Sequence, residues 1–140
     1  MSSEHNSEVV RRFYAEVMTG GRLDRADEFI APDSVDHAGP PDAAPGPEGF
    51  RAAFGPFRAA FPDFACELED VIAAGDRVVV RGTASGTHSQ PFLGLEPTGR
   101  RASWGFVDVL RLEDGKIAEH WGAGDELALV EQLGGRIVPA

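Results

Sequence analysis

Residues 102–121, ASWGFVDVLRLEDGKIAEHW, decide the fold. Apolar and polar residues alternate on both sides of the tight-turn signal Glu113-Asp114-Gly115, so Ala102 to Leu112 and Lys116 to Trp121 read as an antiparallel hairpin. Alternation places Trp104, Phe106, Asp108 and Leu110 on one face, which sets a carboxylate among bulky apolar neighbours. On the return strand Ile117, Glu119 and Trp121 point one way and Ala118, His120 and Gly122 the other. Only one of Glu119 and His120 can therefore face a pocket.

Upstream, Val71-Ile72 and Val78-Val79-Val80 are further strand runs, divided by a turn at Gly75-Asp76. A strand from Asp76 to His88 aligns Val78, Val80, Gly82, Ala84, Gly86 and His88 on one face. The first half of the chain has helical spacing instead. Ser7 stands as an N-cap before Val9, Val10, Phe13, Tyr14, Val17 and Met18, and Gly20-Gly21 ends this first helix. Leu23 to Ile30 gives a second, short helix stopped by Ala31-Pro32. Phe50, Phe54, Phe57 and Phe61 stripe a third, with Gly55-Pro56 as a point for a kink. Residues 38–47, made of Pro, Gly, Ala and Asp, form a loop, and Glu126 to Leu133 forms a last helix between Asp125 and Gly134-Gly135. Helices followed by a mostly antiparallel sheet predict an α+β domain spanning 1–140, with the helices over one face of a curved sheet and a pocket between the layers.

Composition agrees with one globular domain: 140 residues, 42% hydrophobic and 26% charged. Thirteen basic against 23 acidic residues give a net charge of -10, which disfavours nucleic acid as a partner. The apolar runs are too short for a membrane span, Cys66 has no second cysteine to pair with, and no secretory leader opens the sequence, so a cytoplasmic location is expected. No dinucleotide fingerprint, P-loop, H-E-x-x-H or C-x-x-C motif occurs. The expected chemistry is therefore proton transfer by ionisable side chains, with no metal and no cofactor.

Each candidate for that chemistry also has a plain structural reading. Asp108, desolvated by aromatic neighbours, would gain basicity suited to acid-base work, or it would pair with Arg81 or Arg111. His88 ends an apolar face, or bonds a loop carbonyl before Ser89-Gln90-Pro91. His37 sits in a loop entry that a solvated turn also explains, and Asp125 precedes a helix where aspartate is a preferred N-cap. Aromatic side chains bind flat, apolar molecules, and the phenylalanine stripe serves equally well as core.

Taken together, Val10-Arg11-Arg12-Phe13-Tyr14, Val35-Asp36-His37, Ala60-Phe61-Pro62-Asp63-Phe64, Gly86-Thr87-His88, Pro97-Thr98-Gly99-Arg100, Asp114-Gly115-Lys116-Ile117, Glu119-His120-Trp121, Asp125 and Gln132-Leu133-Gly134 resemble, in order and spacing, the SnoaL-like polyketide cyclases. These belong to the nuclear-transport-factor-two-like superfamily of cone-shaped α+β folds. The resemblance implies a homo-oligomer, dimer or tetramer, whose protomers each close a ring in a hydrophobic, polyketide-like carbonyl substrate by intramolecular aldol condensation. It implies Asp125 as acid and base, with His88, His37, Asp108, His120 and Glu119 around the cavity and Tyr14, Phe61, Trp104 and Trp121 as its aromatic surface. Ser89-Gln90, Glu96 and Gly122-Ala123-Gly124 depart from the family pattern and imply a pocket wider than typical. Another acid-base enzyme on the same fold (an isomerase, an epoxide-opening cyclase or hydrolase, or a cofactor-independent hydroxylase) and a non-catalytic binding module are the alternatives.

Overall fold

The Asp114-Gly115 turn forms as expected: both residues have positive φ, 51° and 78°, the geometry of a two-residue hairpin that matches strand twist. In the computed structural model, which describes residues 2–140, it joins β4 (Arg101–Glu113) to β5 (Lys116–Gly124). Gly75, at φ 60°, turns β2 (Ala65–Ala74) into β3 (Arg77–Thr87). These four strands are antiparallel neighbours, and a fifth, β1 (Ile30–Asp36), lies parallel to β5, giving an open sheet of order β1-β5-β4-β3-β2.

Strand β1 replaces the end of the expected second helix. Leu23–Glu28 is a 3-10 turn, and the chain then extends from Ile30 through Pro32. A proline is tolerated there because β1 is an edge strand with one side free of ladder bonds. The first helix, α1 (Ser3–Arg12), begins earlier than Ser7: Ser2 is its cap, accepting the His5 N–H at 3.1 Å. It continues into a π-helical segment, Phe13–Thr19, ending with the Gly20 N–H on Ala15 O at 2.9 Å. Helix α2 (Gly46–Ala60) carries the phenylalanine stripe, and α3 (Glu126–Gln132) closes the chain's last turn against β4.

The helices cover one face of the sheet with two apolar clusters. Val9, Val10, Phe13 and Val17 pack on Val78, Val80, Leu110, Leu112 and Ile117. Phe61, Phe64, Leu129 and Leu133 pack on Ala84, Ala102 and Trp104. Ile117 belongs to the first cluster, not to the face of Glu119 and Trp121 as strict alternation implied. A bulge explains the change: Leu112 pairs with Ile117 while Arg111 pairs with Glu119, so Ala118 is an extra residue and the side-chain phase resets. Among the described residues no helix is long and apolar enough to cross a membrane.

Candidate active site

Between the two clusters lies a cavity of about 420 Å³. Phe54, Phe57, Phe64, Trp104 and Phe106 give it aromatic walls, and Tyr14, Asp108 and His120 form its polar end. The volume falls within the range of sites for single small organic molecules.

Backbone register brings the polar groups together. Asp108 lies on the inner face of β4, opposite Gly122, and the bulge in β5 leaves His120 on that same face, opposite Leu110. His120 Nε2 is 2.9 Å from Asp108 Oδ1, and its Nδ1 is 2.9 Å from Asp36 Oδ1 at the end of β1. The Tyr14 hydroxyl, delivered by the π-helical segment, donates to Asp108 Oδ2. A π turn shifts side chains around the helix axis relative to an α turn, which suits a residue that must be aimed into a site. Burial alone would push the His120 pKa down, but its bonds to Asp108 and Asp36 prevail and lift it from 6.5 to about 9. Burial and then the Asp108 charge push the Tyr14 hydroxyl well above its ordinary value, so it remains a donor.

The other expected site residues lie elsewhere. Asp125 is exposed, outside the cavity, and caps α3 by accepting the Ala128 N–H at 3.0 Å. Glu119 is on the outer face of the sheet, where it accepts from Arg111 Nε at 2.7 Å and from His37 Nε2 at 2.8 Å. Those two partners, His37 first, hold its pKa below the usual carboxylate value. His37 stacks on Trp121 there, with ring centroids 4.9 Å apart, so Trp121 is not part of the cavity wall. His88 lies just past the end of β3 and is 0% exposed, stacked on Phe61 beside the second cluster. The Thr98 N–H donates to its Nδ1 at 3.2 Å, which assigns the ring proton to Nε2. Phe61 is likewise 0% exposed and serves the core, while Phe54 and Phe57 from the same stripe reach the cavity. The ion pairs considered for Asp108 also resolve differently: Arg81 bonds Asp70, and Arg111 bonds Glu119.

Around His120, Asp36 and Gly122 are the members that the sequence left unassigned, and along the walls so are Phe64 and Phe106. Asp36 reaches His120 only because β1 pairs in parallel with β5, in register Asp36 to His120. Among the described residues no group of three or more His, Cys, Asp or Glu side chains is arranged to hold a metal ion.

Residues 8–133 match the family model of SnoaL-like polyketide cyclases. The chain belongs to that family. Similar proteins include the nogalonic acid methyl ester cyclase of Streptomyces nogalater, 34% identical over 122 residues, covering 81% of this chain and 87% of the relative. The aklanonic acid methyl ester cyclase DnrD of Streptomyces peucetius is 32% identical over 133 residues, covering 91% and 89%. Among solved structures, TsrD from Streptomyces laurentii superposes with a TM-score of 0.86 at 32% identity, over 96% of this chain and 98% of that one. The α+β cone is thus the nuclear-transport-factor-two-like fold of the SnoaL-like cyclases.

Gly122 has a specific task in this cyclase. A Cβ at that position would overlap Asp108 Oδ1 and stand 2.9 Å from His120 Nε2. The missing side chain is therefore the space in which the carboxylate meets the imidazole. Gly122→Ala is expected to push Asp108 off His120 and lower turnover by about a hundredfold, the scale of a 1 Å misplacement. Steady-state kinetics on the folded variant check this, and unchanged kcat would show that the contact is dispensable.

Proposed function

We propose that this cyclase closes a ring in a flat, polyketide-like carbonyl substrate by intramolecular aldol addition, without a cofactor, and that Asp108 is its acid and base. The observation that carries the reading is the position of the Asp108 carboxylate, 15% exposed at the polar end of an aromatic-walled cavity and bonded by two donors. Hydrogen bonds from Tyr14 and His120 hold the two oxygens of Asp108 at the end of the cavity, where a bound carbonyl compound meets them. Asp108 takes the proton from a carbon beside a carbonyl, and the electron pair of the broken C–H bond becomes an enolate. The enolate carbon attacks a second carbonyl carbon of the same molecule, forming the ring's C–C bond and an alkoxide. Asp108 returns its proton to that alkoxide, so the product is an isomer of the substrate and no electrons enter or leave. An enolate stabilised by a neighbouring carbonyl needs a base of only modest strength, and positioning in the cavity supplies much of the rest.

The two named relatives supply the probes. Incubation with nogalonic acid methyl ester and with aklanonic acid methyl ester should convert at least one into an isomer of unchanged mass, separated by chromatography. Loss of methanol or uptake of oxygen would contradict the aldol step, and conversion of neither would place the substrate outside this class.

We also infer a homodimer formed through the outer face of the sheet. Ile72, Val79, Val109 and Trp121 are cross-strand partners in one continuous row on that face, and Ile72 is 60% exposed in the single chain. A contiguous apolar row on a sheet surface is the kind of patch that association covers, and a two-fold interface lets it cover itself. Sedimentation at micromolar concentration should show roughly twice the 14.9 kDa chain mass, falling to monomer in Val109→Glu. A monomeric wild type would contradict this.

A further inference from the structure

The carboxylates on His120 differ in what else they touch. Asp108 lines the cavity, whereas Asp36 does not; its Oδ1 accepts from His120 Nδ1 and from the Ala38 N–H, each at 2.9 Å, and its side chain is 41% exposed. An ionised carboxylate can only accept hydrogen bonds. Both bonds to His120 therefore form together only when both ring nitrogens carry protons. A neutral ring would set a lone pair against one of the two carboxylates.

The groups around the ring leave it as the cation of the site. Asp108 from β4 and Asp36 from β1 bond the ring, while Tyr14 from the π-helical segment, Cys66 from β2 and Glu126 from α3 line the same cavity, and among the described residues no arginine or lysine lines it. The Cys66 thiol stays protonated, pushed up to about 12 by burial and then by the Asp108 charge. Asp36 stays ionised: burial would raise its pKa, but its bonds to His120 and to the Ala38 and Gly39 amides outweigh that and lower it.

We propose that Asp36 is a positioning residue of the reaction: it accepts the Nδ1 proton of His120 and so keeps the Nε2 proton on Asp108 through both proton transfers, without touching substrate. This rests on Asp108 being the acid and base. Its consequence is electrostatic. A doubly protonated ring keeps a positive charge and an N–H donor against Asp108 Oδ1 while the carboxylate takes the proton and gives it back.

The sign of the pH effect follows. His120 has a raised pKa, so the doubly protonated ring is complete at neutral pH and is lost as pH climbs through about 9. Turnover should fall along the same limb. Asp36→Asn keeps an oxygen that can accept the Ala38 N–H, so a residue needed only for that turn would tolerate it. Loss of the charge should instead move the His120 titration and the alkaline limb of kcat down by about one pH unit or more. Asp36→Glu restores the charge and should bring both back toward the wild-type position. Nitrogen-15 NMR titration of the imidazoles in the substrate-free proteins reads the first quantity, and the pH profile of kcat the second. A His120 titration unmoved in Asp36→Asn would overturn the proposal, as would a moved titration with an unmoved alkaline limb. If instead Asp108→Asn retained turnover, the acid-base reading would fail while the NMR result stood, so the two failures are distinguishable.

Discussion

Asp108→Asn should lower turnover by about a hundredfold or more, the usual scale for loss of a general acid-base group. Asparagine keeps the size but cannot take a proton, and its single oxygen can accept from only one of Tyr14 and His120, which bond different oxygens of Asp108. Thermal unfolding of the variant beside kcat separates lost chemistry from the lost hydrogen bond. Asp125→Asn is the matched comparison. Asp125 caps α3 through the Ala128 N–H, and asparagine caps about as well as aspartate, so both activity and thermal stability should stay near wild type. Asp125→Ala should lose about 1 kcal/mol of stability with the cap and little activity. If Asp125→Asn lost activity and Asp108→Asn did not, the roles of the two aspartates would be reversed.

The largest stability effect is expected at Phe61. Its ring is buried completely, with centroids of Phe57, Phe92, Trp104 and His88 between 5.2 and 5.7 Å away. Phe61→Ala removes the centre of this cluster and leaves a void under β3, at a cost of about 3–5 kcal/mol. In a domain of this size that lowers the thermal midpoint by roughly 10–20 °C. Phe61 as a cavity wall predicts a different result: a raised KM with less than about 1 kcal/mol of destabilisation. Thermal unfolding measured beside KM separates the two.

The contrast between Phe61 and Phe57 shows what was legible in the sequence. Spacing of four, three and four placed both on one helical stripe, but the stripe spans the boundary between a packed cluster and the cavity, and no periodicity marks that boundary. The β4–β5 hairpin was readable because strict alternation and a glycine turn agreed. Asp108 and His120 were placed on candidate pocket faces by the same alternation. Strand β1 was hidden by Pro32, Asp33 and Ser34, residues with little β-preference, and by a burial pattern that puts Ile30 and Ser34 inside without strict alternation. With β1 unread, the contact of Asp36 with His120 had no basis in sequence, because it depends on a parallel pairing between residues 84 positions apart.

Two further features depended on backbone detail. The bulge at Ala118 carries no composition signal, yet it moves Ile117 to the core while His120 keeps the cavity side. The π-helical segment reads as ordinary helix in its apolar spacing, and only its hydrogen bonds distinguish it. The preference for Asp125 came from family position, whereas its N-cap reading came from local physics. In the structure Asp125 makes the cap bond and stands outside the cavity.

Hydrogen exchange measures the removal of a proton from carbon by Asp108 apart from ring closure. A substrate analogue whose acceptor carbonyl is reduced to an alcohol can form the enolate but cannot cyclise. In deuterium oxide, wild type and Asp125→Asn should both catalyse deuterium uptake at the carbon beside the remaining carbonyl, and Asp108→Asn should slow it about a hundredfold. Exchange at the wild-type rate in Asp108→Asn would contradict the account.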